Sequence, residues 1–435
     1  EMEAEWRQKK QKRHTGQNGK SKEIVPLYTV EDARKVPDQF RLVEYNKTFE
    51  PHPGIAVTYK DAGHILGSAF LELTVTEDGK TTRVVFSGDL GRPGTLLMHD
   101  PVVASQADYL FIESTYGDRN HKNEEATFDE LAEAIAYSYN NHDKVIIPAF
   151  AVGRTQEILY CLYLLRQKGK LPDDMPIFVD SPLAIRATEV FKEFKDYLDT
   201  PEIDLSGNMS ALLPNLKFTL SALESQALNV MKGPAIIISA SGMCNAGRIQ
   251  HHLRHNAWRP TASIVFVGYQ GVGTPGRKIV DGASSIRLFN DVAIKAKVFT
   301  IGGFSAHAGQ SQILDWIRKM AHPGMQVVLV HGEEKAQQIL SGLIKDQFHL
   351  SVYTPGYLEE MALAAGATPE VVVTAQPKSY AHVDWELLLE ETEGKLSKLR
   401  TRLEKAGERP WDEQVDIRDR ILELNKELLS VLTQL

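Results

Sequence analysis

The sequence predicts an α/β protein, and three observations carry that prediction. Short β-branched runs bounded by Gly, Pro, Ser or Asp recur along the chain. Segments with apolar residues at helical spacing lie between several of them, and strands alternating with helices indicate an α/β architecture. Histidines and carboxylates stand at the ends of apolar strands, where α/β sheets gather functional groups.

In chain order, Ile55 to Tyr59 is a short apolar strand. Ala69 to Val75 alternates, turns at Glu77-Asp78-Gly79 and returns over Thr82 to Phe86, the pattern of a hairpin. Tyr109 to Ile112, Val145 to Ile147, Ile177 to Val179, Ala235 to Ile238, Ile264 to Val267, Lys297 to Ile301 and Val327 to Val330 follow as strands. Helices are expected over Thr127 to Asn140, Thr155 to Gln167, Ile185 to Tyr197 and Ser311 to Met320. From about Asp384 the chain becomes leucine-rich and charged, breaks at Ala406-Gly407-Glu408-Arg409-Pro410, and resumes from Val415 to Leu435. Two amphipathic helices joined by a Gly/Pro turn make a helical hairpin, a packing arm or a means of forming a homodimer.

Composition narrows the function classes. With 435 residues, 43% hydrophobic and 24% charged, the chain reads as a soluble globular protein of two or three domains. It has no run of 18 apolar residues, so no membrane span is expected. The charged opening, Glu1 to Arg13, is not a signal peptide. Cys161 and Cys244 make no disulfide framework and no C-x-x-C pair, which fits a reducing, cytoplasmic setting. The net charge of -8 argues against a protein that coats nucleic acid without specificity, yet leaves room for an enzyme that grips one strand locally. The basic run Arg7 to His14 reads as a solvated surface segment. No G-x-G-x-x-G follows a strand, which disfavours a dinucleotide binder.

Five residues form the chemical constellation. His64 lies in Asp61-Ala62-Gly63-His64-Ile65-Leu66-Gly67-Ser68-Ala69, and Asp89 in Phe86-Ser87-Gly88-Asp89-Leu90-Gly91. Glu113 ends the strand of Phe111-Ile112-Glu113-Ser114-Thr115-Tyr116-Gly117. His307 lies in Gly302-Gly303-Phe304-Ser305-Ala306-His307-Ala308, and His331 ends Val327-Val328-Leu329-Val330-His331-Gly332-Glu333. Singly, each is as well explained by a turn or a structural hydrogen bond. Together, His and carboxylates flanked by Gly suggest a hydrolytic zinc site.

These segments resemble, in this order, the motifs of the β-CASP metallo-β-lactamase enzymes. Those are RNA-processing nucleases related to the endonuclease subunit of the mRNA 3′-end cleavage factor and to its bacterial and archaeal counterparts. The resemblance covers roughly residues 1 to 356. It implies an α/β, metallo-β-lactamase αββα sandwich with an inserted Rossmann-like β-CASP domain and, outside the resemblance, the C-terminal helical hairpin. The implied boundaries are 1–117 and 297–356 for the two segments of the metallo-β-lactamase domain, 118–296 for the β-CASP domain and 357–435 for the helical extension. It implies two zincs, with His64 on one, Asp89 bridging both and His331 on the second. It implies His307 as general acid over the scissile phosphate, oriented by Glu113, with Asp89 serving catalysis through the metals. Two zincs roughly 3.5–4 Å apart clamp an in-line displacement, and an imidazole beside a carboxylate stays protonated nearer neutrality. The implied substrate is RNA, single-stranded by expectation, cleaved internally or from its 5′ end.

Candidate substrate contacts fall in the inserted domain. Arg154 opens a helix whose N-terminus suits a phosphate, with capping by Thr155 as the alternative. Ser241, Arg248 and Arg277 follow strand ends or lie in the glycine-rich segment Gly273-Thr274-Pro275-Gly276-Arg277, expected to be a flexible loop; both arginines could equally form surface salt bridges. Tyr269 could stack on a base or pack in the core.

One departure stands out. The family's His-x-His-x-Asp-His motif is absent, and His251-His252-Leu253-Arg254-His255 is expected to be an exposed helix face. In the family that motif lies upstream of the region matching residue 1, so the sequence is expected to be N-terminally truncated. Three ligands are too few for two zincs at roughly four bonds each, so this chain alone is expected to bind zinc poorly and cleave little RNA. A catalytically silent RNA-binding paralogue and a hydrolase of another substrate are the competing expectations.

Overall fold

In the computed structural model, residue 8 and residues 24–121, 124–199, 212–363, 371–375, 385–404 and 406–434 are described. Apart from Gln8, the basic run 7–14 lies outside them.

Seven strands form the first sheet: β1 (Thr48–His52), β2 (Ile55–Asp61), β3 (Ala69–Glu77), β4 (Lys80–Phe86) and β5 (Tyr109–Glu113) come early in the chain. Six follow in the second sheet: β6 (Lys144–Pro148), β7 (Ile177–Val179), β8 (Leu216–Phe218), β9 (Ala235–Ser239), β10 (Ser263–Phe266) and, past the short hairpin of β11 (Ser285–Arg287) and β12 (Asp291–Ala293), β13 (Lys297–Thr300). The chain then returns to the first sheet with β14 (Gln326–Val330) and β15 (Ser351–Tyr353).

The first sheet has the order β1-β2-β3-β4-β5-β14-β15. Its first four strands are antiparallel, and β4, β5, β14 and β15 are parallel. The β3–β4 connection is the expected hairpin, its turn narrowed to two residues, Asp78 and Gly79, both at positive φ, the primed turn that matches strand twist. One face packs Phe70, Leu110, Ile112 and Leu329 against Ile313 and Ile317 of helix Gln310–Arg318 and Leu340 and Ile344 of helix Glu334–Phe348. The other face carries Val84, Tyr109, Phe111 and Val328, with Met361 and Leu363 packed on them. Phe86 and Phe111 stack there at 4.5 Å between ring centres.

The second sheet, β13-β10-β6-β9-β7-β8, is parallel throughout. Every residue of β6, β9 and β10 is buried, as expected for parallel strands covered on both faces. One covering layer centres on Leu131, Ile135, Ile158 and Leu162, and the other on Leu253, Ile249 and Ile279. Cys161 and Cys244 are both buried in these layers. Each buried Ile or Leu contributes about 1.5–3 kcal/mol of apolar transfer.

Several sequence expectations are corrected. Lys297–Thr300, read from sequence as part of the second segment of the first domain, hydrogen-bonds in parallel to β10. The Gly273–Arg277 stretch is not a flexible loop: Thr274 Oγ1 accepts the Arg277 N–H at 3.2 Å and caps helix Pro275–Val280. His252 is fully buried rather than part of an exposed face. Helix Glu334–Phe348 was not expected at all.

The C-terminal unit, by itself, has helices Trp385–Leu403 and Trp411–Gln434 with a single turn, Ala406–Glu408, between them. The Gln414 side chain donates to the carbonyls of Gly407 and Arg409 at that turn. Among the described residues, no helix is long and apolar enough to cross a membrane.

Candidate active site

The loop after β2 is closed by Ser68, whose Oγ accepts the N–H groups of His64 and Ile65 at 3.0 and 3.2 Å. The loop after β4 is tied to the first by the Gly91 N–H, which donates to the Ala62 carbonyl at 2.7 Å. The two loops approach so closely that a Cβ at Gly91 would sit 2.0 Å from the Gly63 carbonyl oxygen. Only glycine fits there, and that contact sets the distance between His64 and Asp89. Their nearest side-chain atoms, Nε2 and Oδ2, are 3.8 Å apart.

Glu113, at the end of β5, is fully buried and its carboxylate is shared. Oε1 accepts the Leu90 N–H at 2.5 Å, and both oxygens accept from His307 Nδ1, at 3.1 and 2.9 Å. The His307 loop pairs with Gly91 in an antiparallel bridge, and His121 Nε2 donates to the His307 carbonyl at 2.8 Å. His307 therefore has one ring nitrogen fixed and one facing the cluster.

His331 follows β14, whose Val330 is in register with Glu113. It adopts a left-handed conformation, φ 46°, uncommon for a residue with a side chain. The Ser114 N–H holds the His331 carbonyl at 3.1 Å, and Ser114 Oγ donates to the Val330 carbonyl at 2.8 Å. His331 Nε2 then lies 3.5 Å from Asp89 Oδ1.

The five motif residues thus converge. His64 and His307 have ring centres 4.4 Å apart, and His307 and His331 are separated by 6.1 Å. Asp89 has one oxygen near His64 and the other near His331. Among the described residues, the group whose donor atoms lie within 4.8 Å of one another is His64, Asp89 and His307.

The protonation tendencies of the imidazoles differ. Burial, helped by the neighbouring His307, pushes His64 down to about 4, so it is neutral at pH 7. Burial also works against the charged form of His307, but the hydrogen bond and charge of Glu113, with Asp89 behind it, outweigh that and raise its pKa above the ordinary value.

Imidazole and carboxylate are donor types that zinc accepts, and each oxygen of Asp89 faces one histidine. The 3.8 and 3.5 Å separations about Asp89 are near the ~3.3 Å edge of a tetrahedron with bonds of ~2.0–2.1 Å. The His64 ring is neutral, and its Nδ1 is buried without a hydrogen bond of good geometry.

The cluster opens into a cavity of about 730 Å³, which Arg154 and Tyr269 also line. Arg154 is buried and its guanidinium is bonded to Glu157. The Tyr269 hydroxyl donates to Glu333, and its ring packs edge-on against Tyr116. Arg119 lies over both tyrosine rings, 5.1 and 5.9 Å from their centres.

Ser241, Arg248 and Arg277 do not line this cavity. Ser241 Oγ donates to Asn245 Oδ1 at 2.7 Å within its own loop. Arg248 Nη1 donates to Asp180 Oδ1 at 2.6 Å and reaches the carbonyls of Thr219 and Leu220. Arg277 pairs with Asp281 at 2.9 Å and lies 3.7 Å from Glu333.

Sequence reasoning passed over Tyr116, Arg119, His121, Phe150 and Glu333. Tyr116 and Glu333 sit inside motifs already marked by Glu113 and His331, and that adjacency was the available signal.

Comparison with known proteins agrees with this architecture. The Beta-Casp domain family matches residues 155–279, and the Zn-dependent metallo-hydrolase RNA specificity domain family matches residues 291–355. The chain is 36% identical over 323 residues to Ribonuclease TTHA0252 of Thermus thermophilus, covering 73% of this chain and 72% of that protein. It is 35% identical to an RNase J-like protein of Methanocaldococcus jannaschii, covering 71% of each. It is 30% identical to transcription termination factor FttA of Thermococcus kodakarensis, where the match takes in 78% of this chain but only 54% of that longer protein. With its ordered motifs, two sheets and converging histidines, the chain belongs to the β-CASP family of metallo-β-lactamase-fold nucleases.

Proposed function

We propose that this chain carries the catalytic groups of a zinc-dependent hydrolase that cleaves phosphodiester bonds in single-stranded RNA. The observation that carries the reading is the pair of imidazoles 4.4 Å apart, one neutral beside Asp89 and the other bound to a buried carboxylate. Relatives named as a ribonuclease and an RNase J-like protein support RNA as the substrate.

In this reading His64, Asp89 and His331 hold zinc, with Asp89 reaching both neighbours. Zinc, when bound, supplies Lewis acidity for the phosphate oxygens and lowers the pKa of water. Glu113 fixes His307 through Nδ1 and favours its protonated form, so Nε2 is free to give a proton to the leaving ribose oxygen. Arg154, released from Glu157, contacts phosphate, and Tyr269 lines the strand's path.

Among the described residues, the three ligands of this reading are fewer than two zincs require. We therefore expect these 435 residues to hold zinc weakly and to cleave RNA slowly unless further ligands are supplied. The second reading is a catalytically silent RNA-binding paralogue. The deciding experiment is an elemental count of zinc per chain together with cleavage of a labelled single-stranded RNA, with and without added zinc. Metal-stimulated cleavage lost in His307→Ala supports the hydrolase. RNA binding without cleavage at any zinc level supports the silent paralogue and refutes the hydrolase for this chain.

A further inference from the structure

The cavity that receives the histidine cluster has an apolar wall of unusual exposure. Phe150, Val152, Leu183, Met243 and Val272 line it. Phe150 is 45% exposed, Leu183 61% and Val272 72%. Apolar surface left open beside a polar site marks a place that a ligand covers.

Phe150 is built as a platform. A Cβ at Gly242 would meet its ring at 2.9 Å, so the ring is backed directly by backbone. Its own carbonyl is held by Thr155, whose N–H donates at 3.2 Å and whose Oγ1 donates at 2.8 Å. The ring is therefore rigid on one side and half open on the other.

Charge decides what can lie there. Among the described residues, the cavity wall has one Lys or Arg, Arg154, which the reading above gives to the phosphate at the cluster. Glu333 also lines it and lies 3.7 Å from Arg277, which does not. No Lys or Arg of this wall is left for a second phosphate, whereas a flat uncharged ring needs none. If the histidine cluster holds the scissile phosphodiester, as proposed above, the flat uncharged group attached next to it is a nucleobase.

We infer that the Phe150 wall is a subsite for one unpaired nucleobase beside the scissile bond, which stacks on the Phe150 ring between Val152, Leu183, Met243 and Val272. In a duplex that base face is already covered by its neighbours, so the subsite selects single strands. Stacking of this kind tolerates any base.

Binding, rather than turnover, tests it. Fluorescence anisotropy of the 435-residue chain, in EDTA, is measured with a labelled 12-nucleotide single-stranded RNA, the same RNA in a duplex, and an abasic version. Phe150→Ala weakens single-strand binding roughly five- to 150-fold, as loss of one base–aromatic stack does. Phe150→Trp keeps it within about twofold, which also shows that the position tolerates substitution without loss of fold. The abasic RNA binds the unaltered protein weakly and is indifferent to Phe150→Ala. If Phe150→Ala leaves single-strand binding unchanged, or weakens the abasic RNA equally, the subsite is refuted while RNA as substrate survives. If the unaltered chain binds no RNA, both fall.

Discussion

Replacing Asp180 with Ala removes the hub that joins the end of β7 to Thr219, Ser225, Arg248 and His252. Its carboxylate is fully buried and receives four hydrogen bonds. Thr219 Oγ1 and Arg248 Nη1 donate to Oδ1 at 2.7 and 2.6 Å, and Ser225 Oγ and His252 Nε2 reach Oδ2, each at 2.6 Å. Removing one partner of a buried pair costs about 3–5 kcal/mol, because the other groups stay buried and unmatched. Asp180→Ala should therefore lose about that much in urea unfolding at pH 7. Arg248→Ala, which leaves Asp180 three donors, should lose about 1–3 kcal/mol. The double variant should fall short of their sum by more than about 0.5 kcal/mol. Burial alone would raise the Asp180 pKa, but the four donors hold the carboxyl well below the usual carboxylate range. Its stabilisation is thus complete above about pH 4, the unfolded value, and is lost as pH falls through the lower folded value. A loss below about 1 kcal/mol for Asp180→Ala, or full additivity with Arg248→Ala, would refute the hub and return Arg248 to the surface as a free RNA contact.

Further outcomes concern the site. Glu113→Gln keeps the shape around His307 but removes the charge, and should lower RNA cleavage by zinc-loaded protein about tenfold, the difference between a charged and a neutral hydrogen bond; hydrolysis of bis(p-nitrophenyl) phosphate, whose leaving group needs no proton, should change less than twofold, and equal losses on both would remove His307 as the acid. Gly91→Ala drives a methyl into the Gly63 carbonyl and should weaken zinc binding more than tenfold in a chelator competition, while urea unfolding shifts by roughly 1–3 kcal/mol. Tyr269→Phe removes only the hydroxyl bonded to Glu333 at a half-exposed position and should cost no more than about 1 kcal/mol, read as the urea midpoint; a larger loss would make that bond a structural tie.

The sequence carried the site better than the fold around it. His64, Asp89, Glu113 and His331 stand at or just past strand ends, and His307 past the turn Gly302–Phe304 that follows Lys297–Thr300; strand ends are marked by a change from β-branched residues to Gly, Ser and Asp. The parallel register of β5 and β14 sets Glu113 beside Val330, and the Gly91 loop ties in His64, Asp89 and His307. Residues acting through long-range partners were not legible. Arg248 looked like a surface cation because its acceptor, Asp180, is 68 positions away. His252 looked like one of three exposed histidines because sequence spacing alone did not say which side of its helix meets Asp180 and Asn229. Phe150 gave no signal, since an apolar residue before a helix reads as core. Lys297–Thr300 was misassigned because a strand's composition says nothing about which sheet it joins, and here β10 supplied the edge.

The two central imidazoles show why motif identity alone does not assign a role. Both His64 and His307 are mostly buried, lie near Asp89, and follow a small residue in a strand-end loop. What separates them is the second partner. His307 gives Nδ1 to a carboxylate that is fully buried and further anchored by the Leu90 N–H, so the proton on its ring is stabilised. His64 has no such acceptor, and a protonated His307 beside it opposes a second positive charge. Two cations at 4.4 Å in a cavity would repel strongly. The pair is therefore unequal: His64 favours the neutral ring, and Glu113 favours the proton on His307. Exchange of these roles would require moving Glu113, which the Ser87 Oγ bond to its N–H and the Leu90 bond to its carboxylate both prevent.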